Sequence, residues 1–290
     1  FDSVRGTTKM LQADQNNAEE TQSGVTAFGS DGFTLGTWIG STKTGDDYVA
    51  WNWKAEGSAS TNTSGSIDSS VLANTAAGFS IASFTCPSGS GLYTVGHGLG
   101  AVPEFMIVKG RSATGNWHIY HKDVGNTKAY FLNNSTAGFT STGYWGDTTP
   151  TSTVFTQSIG GTLDVGTTAI GYFFNSVDGY SKVGSYTGNG SADGPFVHCG
   201  FRPAFVMVKR TDAGGGWHIL DNKRASPFNE IEVRIEADNS DAENTGGPPD
   251  TDLVSNGFKL RTTFDNMNAS GGTYIFLAFA ESPFKNSNAR

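Results

Sequence analysis

Hydrophobic positions along this chain alternate with polar ones in short runs. Gly78–Phe84 reads GFSIASF and Gly179–Tyr186 reads GYSKVGSY. Each alternates with a period of two and predicts a half-buried strand. Phe105–Lys109 (FMIVK) and Phe205–Lys209 (FVMVK) are apolar on both faces and too short for a helix, so they predict fully buried strands. Asn116–His121 and Gly216–Asp221 alternate again, with Trp and Ile on one face and His on the other. The simplest assignment is a core Trp and an outward His. Lys9–Gln22 holds helix formers, but its apolar residues bunch at one end, so it reads as a loop with one helical turn. Gly, Asn, Asp and Pro break the chain at a spacing of roughly 8–15 residues, which predicts an all-β fold of antiparallel sandwiches, jelly-roll-like in character.

The strongest signal is internal repetition, which is sought before any site is assigned. Pro103–Ile119 (PEFMIVKGRSATGNWHI) and Pro203–Ile219 (PAFVMVKRTDAGGGWHI) match at Pro103/Pro203, Phe105/Phe205, Val108/Val208, Lys109/Lys209, Gly115/Gly215, Trp117/Trp217, His118/His218 and Ile119/Ile219. The offset is constant, 203 − 103 = 100 residues. Back halves match too. Ser255–Leu260 (SNGFKL) resembles Ser30–Leu35 (SDGFTL), and Leu220–Arg224 (LDNKR) resembles Phe1–Arg5 (FDSVR). Gly271–Glu281 resembles both Thr44–Glu56 and Gly166–Asn175. The expected organisation is therefore the back half of a first repeat at 1–57, a linker at 58–77, a second repeat at 78–178 and a third at 179–290. The core of each repeat is assigned to Phe105, Trp117 and Ile119, and to Phe205, Trp217 and Ile219. Half a sandwich cannot bury its apolar face. The chain is accordingly expected to be cut from a longer array, with strand borrowing from a neighbour and a permuted pairing with 78–116 as alternatives; Phe1 is read as internal to a longer gene product.

Composition sharpens this picture. Glycine accounts for 39 of 290 residues and charged residues for 16%, while 20 Phe, 9 Tyr and 6 Trp supply large buried surfaces. That describes a loop-rich β protein. Net charge is −8 with no Lys/Arg cluster, so no nucleic-acid partner is expected. No run of 18 apolar residues occurs and no signal peptide is recognised, so no membrane partner is expected. Cys86 and Cys199 do not fall at equivalent repeat positions and read as two free thiols.

Candidate chemistry is sparse. Trp117/His118 and Trp217/His218 could form a metal or sugar site, but faithful duplication favours a scaffold role. His97 and His198 are offset by 101 residues and lack a carboxylate at metal-ligand spacing. Gly96–Gly100 (GHGLG) lacks the setting of a phosphate loop and reads as a β-turn. Glu236–Asp252 is the densest acidic stretch. It could hold Ca²⁺ through Glu236, Asp238, Asp241, Glu243, Asp250 and Asp252, but it matches no calcium-loop spacing and reads as a solvated loop. Tyr144 and Trp145, on the polar loop Ser141–Thr153, are the preferred glycan-contact candidates. No nucleophile setting occurs and sequence alone places no carboxylate pair, so no enzymatic activity, cofactor or metal is expected.

The W-H-I motif, Ser30–Gly36 (SDGFTLG) and Tyr48–Lys54 (YVAWNWK) together resemble a repeated β-rich domain of unknown function found in long virion proteins of marine bacteriophages, among them tail-fibre and other structural proteins. The second repeat departs from that pattern at Thr153–Gly161, where TVFTQSIGG replaces S-D-G-F. The resemblance implies a virion structural protein at the virion surface, part of a tail fibre or similar appendage. Its partners would be other virion proteins, further copies of itself in a homo-oligomer, and a host-surface glycan or receptor met by loops. A head-exterior decoration or fibre protein and a polysaccharide depolymerase are the alternatives.

Overall fold

The computed structural model describes residues 1–224, 229, 231–245 and 251–282. Two short hairpins come first, β1 (Lys9–Met10) with β2 (Glu20–Thr21), and β3 (Val25–Phe28) with β4 (Phe33–Leu35). The middle of the chain carries β5 (Glu56–Asn62), β6 (Ser69–Asn74), β7 (Phe79–Thr85), β8 (Leu92–Gly96), β9 (Phe105–Gly110), β10 (Trp117–His121), β11 (Lys128–Phe131), β12 (Phe139–Thr140), β13 (Val154–Ser158) and β14 (Thr168–Phe174). The last part carries β15 (Ser181–Thr187), β16 (Phe196–His198), β17 (Pro203–Arg210), β18 (Trp217–Asp221), β19 (Ile235–Glu236), β20 (Thr251–Val254), β21 (Gly257–Leu260) and β22 (Thr273–Ala280). The fold is all-β and built from antiparallel sheets packed as sandwiches.

Two large sheets dominate. One has the order β12-β11-β10-β9-β14-β7-β6-β5 and the other β15-β22-β17-β18-β19. The central four strands of the first, β10-β9-β14-β7, have the same order as β18-β17-β22-β15 in the second. Each large sheet also carries a small outer sheet of matching make-up: β13-β8 on the first, and β16-β21, extended by β20, on the second.

The alternation of side chains along each strand sorts them into three cores. Phe79, Ile81, Phe105, Trp117, Ile119 and Phe174 from the eight-stranded sheet meet Phe205, Met207, Trp217, Ile219, Leu277 and Phe279 from the five-stranded sheet in one central cluster. The opposite face of the eight-stranded sheet packs Met106, Val108 and Phe173 against Tyr93, Val95 and Phe155 of the small sheet. Val206, Val208 and Phe276 likewise pack against Val197, Phe258 and Leu260. Four layers result. Each large sheet forms a sandwich with its own small sheet, and the two large sheets pack on one another through the central core.

That layering overturns the outward histidine. His118 and His218 do point away from Trp and Ile, but an outer layer covers that face too, and both are buried. The stretch expected as a linker, 58–77, is largely strand: β5 and β6 extend the eight-stranded sheet beyond β7. Its apolar pair Val71 and Leu72 points to opposite faces of the sheet, and both are buried. Lys9–Gln22 forms the β1–β2 pair in place of a helical turn.

Candidate functional site

The recurring Lys, Gly and Trp are brought together at two joints, where one part of the chain grips another. In the first, β9 and β10 form a hairpin whose register sets Trp117 opposite Lys109. The Lys109 ammonium donates to the carbonyls of Gly115 (2.9 Å) and Asn16 (3.3 Å). The Gly115 amide donates to the same Asn16 carbonyl at 2.8 Å. The Trp117 indole N–H donates to Gln12 O at 2.9 Å and to Gln15 O at 3.1 Å. The 12–16 segment is thus held by three donors of one hairpin.

The second joint repeats the first. β17 and β18 set Trp217 opposite Lys209. Lys209 donates to the carbonyls of Gly215 and Ser135, the latter at 3.4 Å. Gly215 N donates to Ser135 O at 2.8 Å, and the Trp217 indole to Phe131 O at 2.8 Å. Segment 131–135 occupies here the place that 12–16 occupies in the first joint. Both lysines are fully buried, and burial pulls each down to about 8. Each ammonium donates to two backbone carbonyls, one of its own hairpin and one of the gripped segment.

A second shared device is an Asp-x-x-Arg turn. Asp2 accepts from the amides of Val4 (3.1 Å) and Arg5 (2.9 Å), and the Arg5 guanidinium pairs with Asp2 and with Glu19 (3.0 Å). Asp221 accepts from Lys223 (2.9 Å) and Arg224 (3.0 Å), and Arg224 pairs with Asp221 (2.7 Å) and Glu243 (3.0 Å). Burial alone would raise both aspartates, but these donors hold them below the usual carboxylate range. The position between them in the repeat is His121, whose Nδ1 accepts from the Asp123 amide at 3.1 Å. Tyr172 closes the first turn, donating to Asp2 at 2.8 Å and accepting from Arg5 at 3.2 Å. Trp51 lies under Arg224 at 5.7 Å in the second.

The six expected core residues, Phe105, Trp117, Ile119, Phe205, Trp217 and Ile219, all lie in the central cluster. The glycan candidates fare differently. Trp145 is 1% exposed, packs against Tyr120 in the core and offers no face to a sugar. Tyr144 is half-buried against His118 (4.9 Å), Phe139 and Phe131. An aromatic pair on a polar loop reads as a platform in sequence, but here it plugs the outer layer. His97 is buried with Nε2 at Thr151 O (3.1 Å), and burial lowers it to about 4. Cys86 and Cys199 are buried free thiols. Asp250 lies outside the described residues. The other acidic side chains of that stretch are dispersed: Asp238 accepts from Trp217 N at 2.7 Å, Glu243 pairs with Arg224, and Asp252 with Arg261 at 3.4 Å. Glu236 Oε1 lies 3.2 Å from His218 Nδ1. Among the described residues no group of three or more His, Cys, Asp and Glu stands close enough to hold a metal ion.

Fold and joints together define a layered antiparallel β protein whose recurring polar residues serve assembly. The chain belongs to a family described as a domain of unknown function, DUF7483, whose model matches residues 1–283. No curated protein and no solved structure matches the chain.

Proposed function

We propose that this chain is a structural component of a virion surface appendage such as a tail fibre, and that it works through assembly rather than catalysis. One observation carries the reading: three of the eight residues that recur at a constant offset, Lys, Gly and Trp, join one part of the chain to the next. Lys109, Gly115 and Trp117, and again Lys209, Gly215 and Trp217, all donate to backbone carbonyls of another segment. The sequence resemblance to virion proteins points the same way. Contact with other virion proteins, with further copies and with host glycans or receptors then falls to exposed loops and edges.

Immunogold electron microscopy with antibodies against this chain tests the proposal on particles whose genome encodes it. Gold on tail appendages is the expected result, and gold confined to the capsid exterior would move the protein to a head decoration. Particles free of label would overturn the virion assignment. Incubation with host-surface polysaccharide should release no reducing ends; their release would overturn the structural reading in favour of a depolymerase.

A further inference from the structure

The joint is made twice, but its acceptor half occurs three times. Segment 236–240 stands to β18 as 131–135 stands to β10. Ala237 N donates to Trp217 O at 3.0 Å, as Leu132 N does to Trp117 O at 2.9 Å. Asp238 Oδ1 accepts from Trp217 N at 2.7 Å, as Asn133 Oδ1 does from Trp117 N at 2.9 Å. Asn239 Oδ1 accepts from Asp241 N, and Asn134 Oδ1 from Thr136 N, both at 3.0 Å. Glu236 therefore corresponds to Phe131, and Ser240 to Ser135. Their carbonyls are the counterparts of those gripped in the second joint. Trp117 and Trp217 are already committed to other acceptors.

A second feature adjoins this region through Arg224, which lies 5.7 Å over the Trp51 ring and pairs with Glu243 at 3.0 Å. Thr44–Glu56 matches the sequences of β14 and β22, and its Trp53 sits with their counterparts. Trp53 lies 6.0 Å from Phe174 and 5.4 Å from Phe279, which are themselves 6.0 Å apart. Yet β14 is flanked by β7 and β9, and β22 by β15 and β17, whereas 48–55 carries no ladder among the described residues. It occupies the place of an inner strand without an inner strand's neighbours. The third feature is the β3–β4 hairpin, which leaves Phe33 36% and Leu35 45% exposed.

We propose that this region is a docking surface for a β-hairpin built like Phe105–His121 and Phe205–Asp221. Its first strand adds to 48–55 through main-chain hydrogen bonds, as strand addition does at an unpaired edge. Its lysine, and the glycine and tryptophan of its return strand, grip the carbonyls of Glu236 and Ser240. Its other face covers Phe33 and Leu35. The return strand ends beside Asp2, as β18 ends at Asp221. The partner is thus a polypeptide carrying lysine, five residues, glycine, any residue and tryptophan across an apolar hairpin. Continuity with the two joints already made, donor for donor, selects this occupant over an unrelated apolar partner.

The test is a chain with a second copy of Pro203–Ile219 fused directly ahead of Phe1. Amides of 49–55 and 236–240 should exchange at least ~10-fold more slowly than in the unmodified chain. The thermal midpoint should rise by about 5 °C or more. Lys209→Ser and Trp217→Ser, made in the added copy alone, should abolish both effects. If the fusion does not fold, a synthetic peptide of residues 203–221 added to the unmodified chain decides the matter. Saturable perturbation of the Trp51 and Trp53 indole resonances supports the proposal. Unchanged exchange in a folded fusion, or no saturable response to the peptide, overturns it.

Discussion

Two hairpins that share the pattern Ser-x-Gly-Phe-x-Leu, at Ser30–Leu35 and Ser255–Leu260, meet opposite fates. In β20–β21, Phe258 and Leu260 are fully buried against Val206, Val208 and Phe276. In β3–β4, the matching Phe33 and Leu35 are 36% and 45% exposed. The turn glycines show the same split. A Cβ on Gly257 would lie 2.0 Å from the Val197 carbonyl of β16, whereas one on Gly32 would meet nothing within 4 Å. The local pattern is sufficient to form a hairpin in both places. Burial depends on what is laid against it, which is a property of the neighbouring sheet and not of the hairpin.

This difference predicts its largest effect at Phe258. Phe258→Ala empties a site between two sheets and should cost about 3–5 kcal/mol. In thermal denaturation that is a fall of roughly 2–4 °C for each kcal/mol. A loss no greater than that of Phe33→Ala would mean that the two hairpins are equally packed, and the comparison would collapse.

Acid should expose a second contrast, because the β7–β14 half is rich in buried histidine. Burial lowers His118 to about 3, with the Lys109 charge adding to it, and lowers His97 and His121 to about 4. The unfolded chain takes up these protons near pH 6.5, while the folded chain does not until about pH 3–4. Between those limits the unfolded state binds more protons, so stability is full above about pH 6.5 and falls as pH drops. Each histidine protonated only in the unfolded chain removes up to about 1.4 kcal/mol per pH unit, and the three act in the same direction. Urea midpoints measured from pH 7.5 to 4.5 should decline, and His118→Phe, which keeps an aromatic ring among Phe131 and Tyr144, should flatten the decline. An equally steep slope in His118→Phe would show that His118 is not buried neutral.

The joints should be energetically alike. Trp117→Phe and Trp217→Phe each remove one indole N–H that reaches a carbonyl of another segment, at 2.9 and 2.8 Å. Each should cost about 1–3 kcal/mol, read as a fall in the chemical denaturation midpoint. A silent Trp117→Phe beside a damaging Trp217→Phe would separate two joints that geometry makes equivalent.

Much of this architecture is legible in the sequence. Two-residue alternation locates β7, β10, β15 and β18, and the unbroken apolar runs locate β9 and β17, because strand periodicity is a local property. The W-H-I motif and Lys109/Lys209 are recognisable as duplicated scaffold without knowledge of their partners. What is not legible is which surfaces face one another. A histidine opposite a core tryptophan looks outward until a second layer covers it, and Trp145 looks like a stacking platform until Tyr120 is placed beside it. The Ser/Thr-rich run at 58–77 looks like a linker, since nothing in β5 and β6 announces that β7 has an edge free to receive them. The joints escape the sequence for the same reason: their acceptors are backbone carbonyls of Gln12, Asn16, Phe131 and Ser135, which carry no side-chain signature. The signal that could find them is the matched spacing of 12–16 and 131–135 behind Asp2 and His121.

The smallest expected effect closes the comparison. Phe33→Ser removes a ring that is already 36% exposed, and its hairpin neighbours Phe28 and Leu35 are exposed at 44% and 45%. The ring is only partly covered in this folded chain, so the loss should be about 1 kcal/mol, well below that of a fully buried phenylalanine. In the fusion that carries an added Pro203–Ile219 hairpin, the same ring is covered in the way Phe258 is covered by the sheet carrying β17 and β22. There Phe33→Ser should cost about 2 kcal/mol or more, because it places a hydroxyl in a newly apolar contact. The double difference between the two backgrounds isolates the contribution of the docked hairpin from the intrinsic effect of the substitution. A cost equal in both backgrounds would show that Phe33 remains at the surface, and that β3–β4 is an exposed hairpin in its own right.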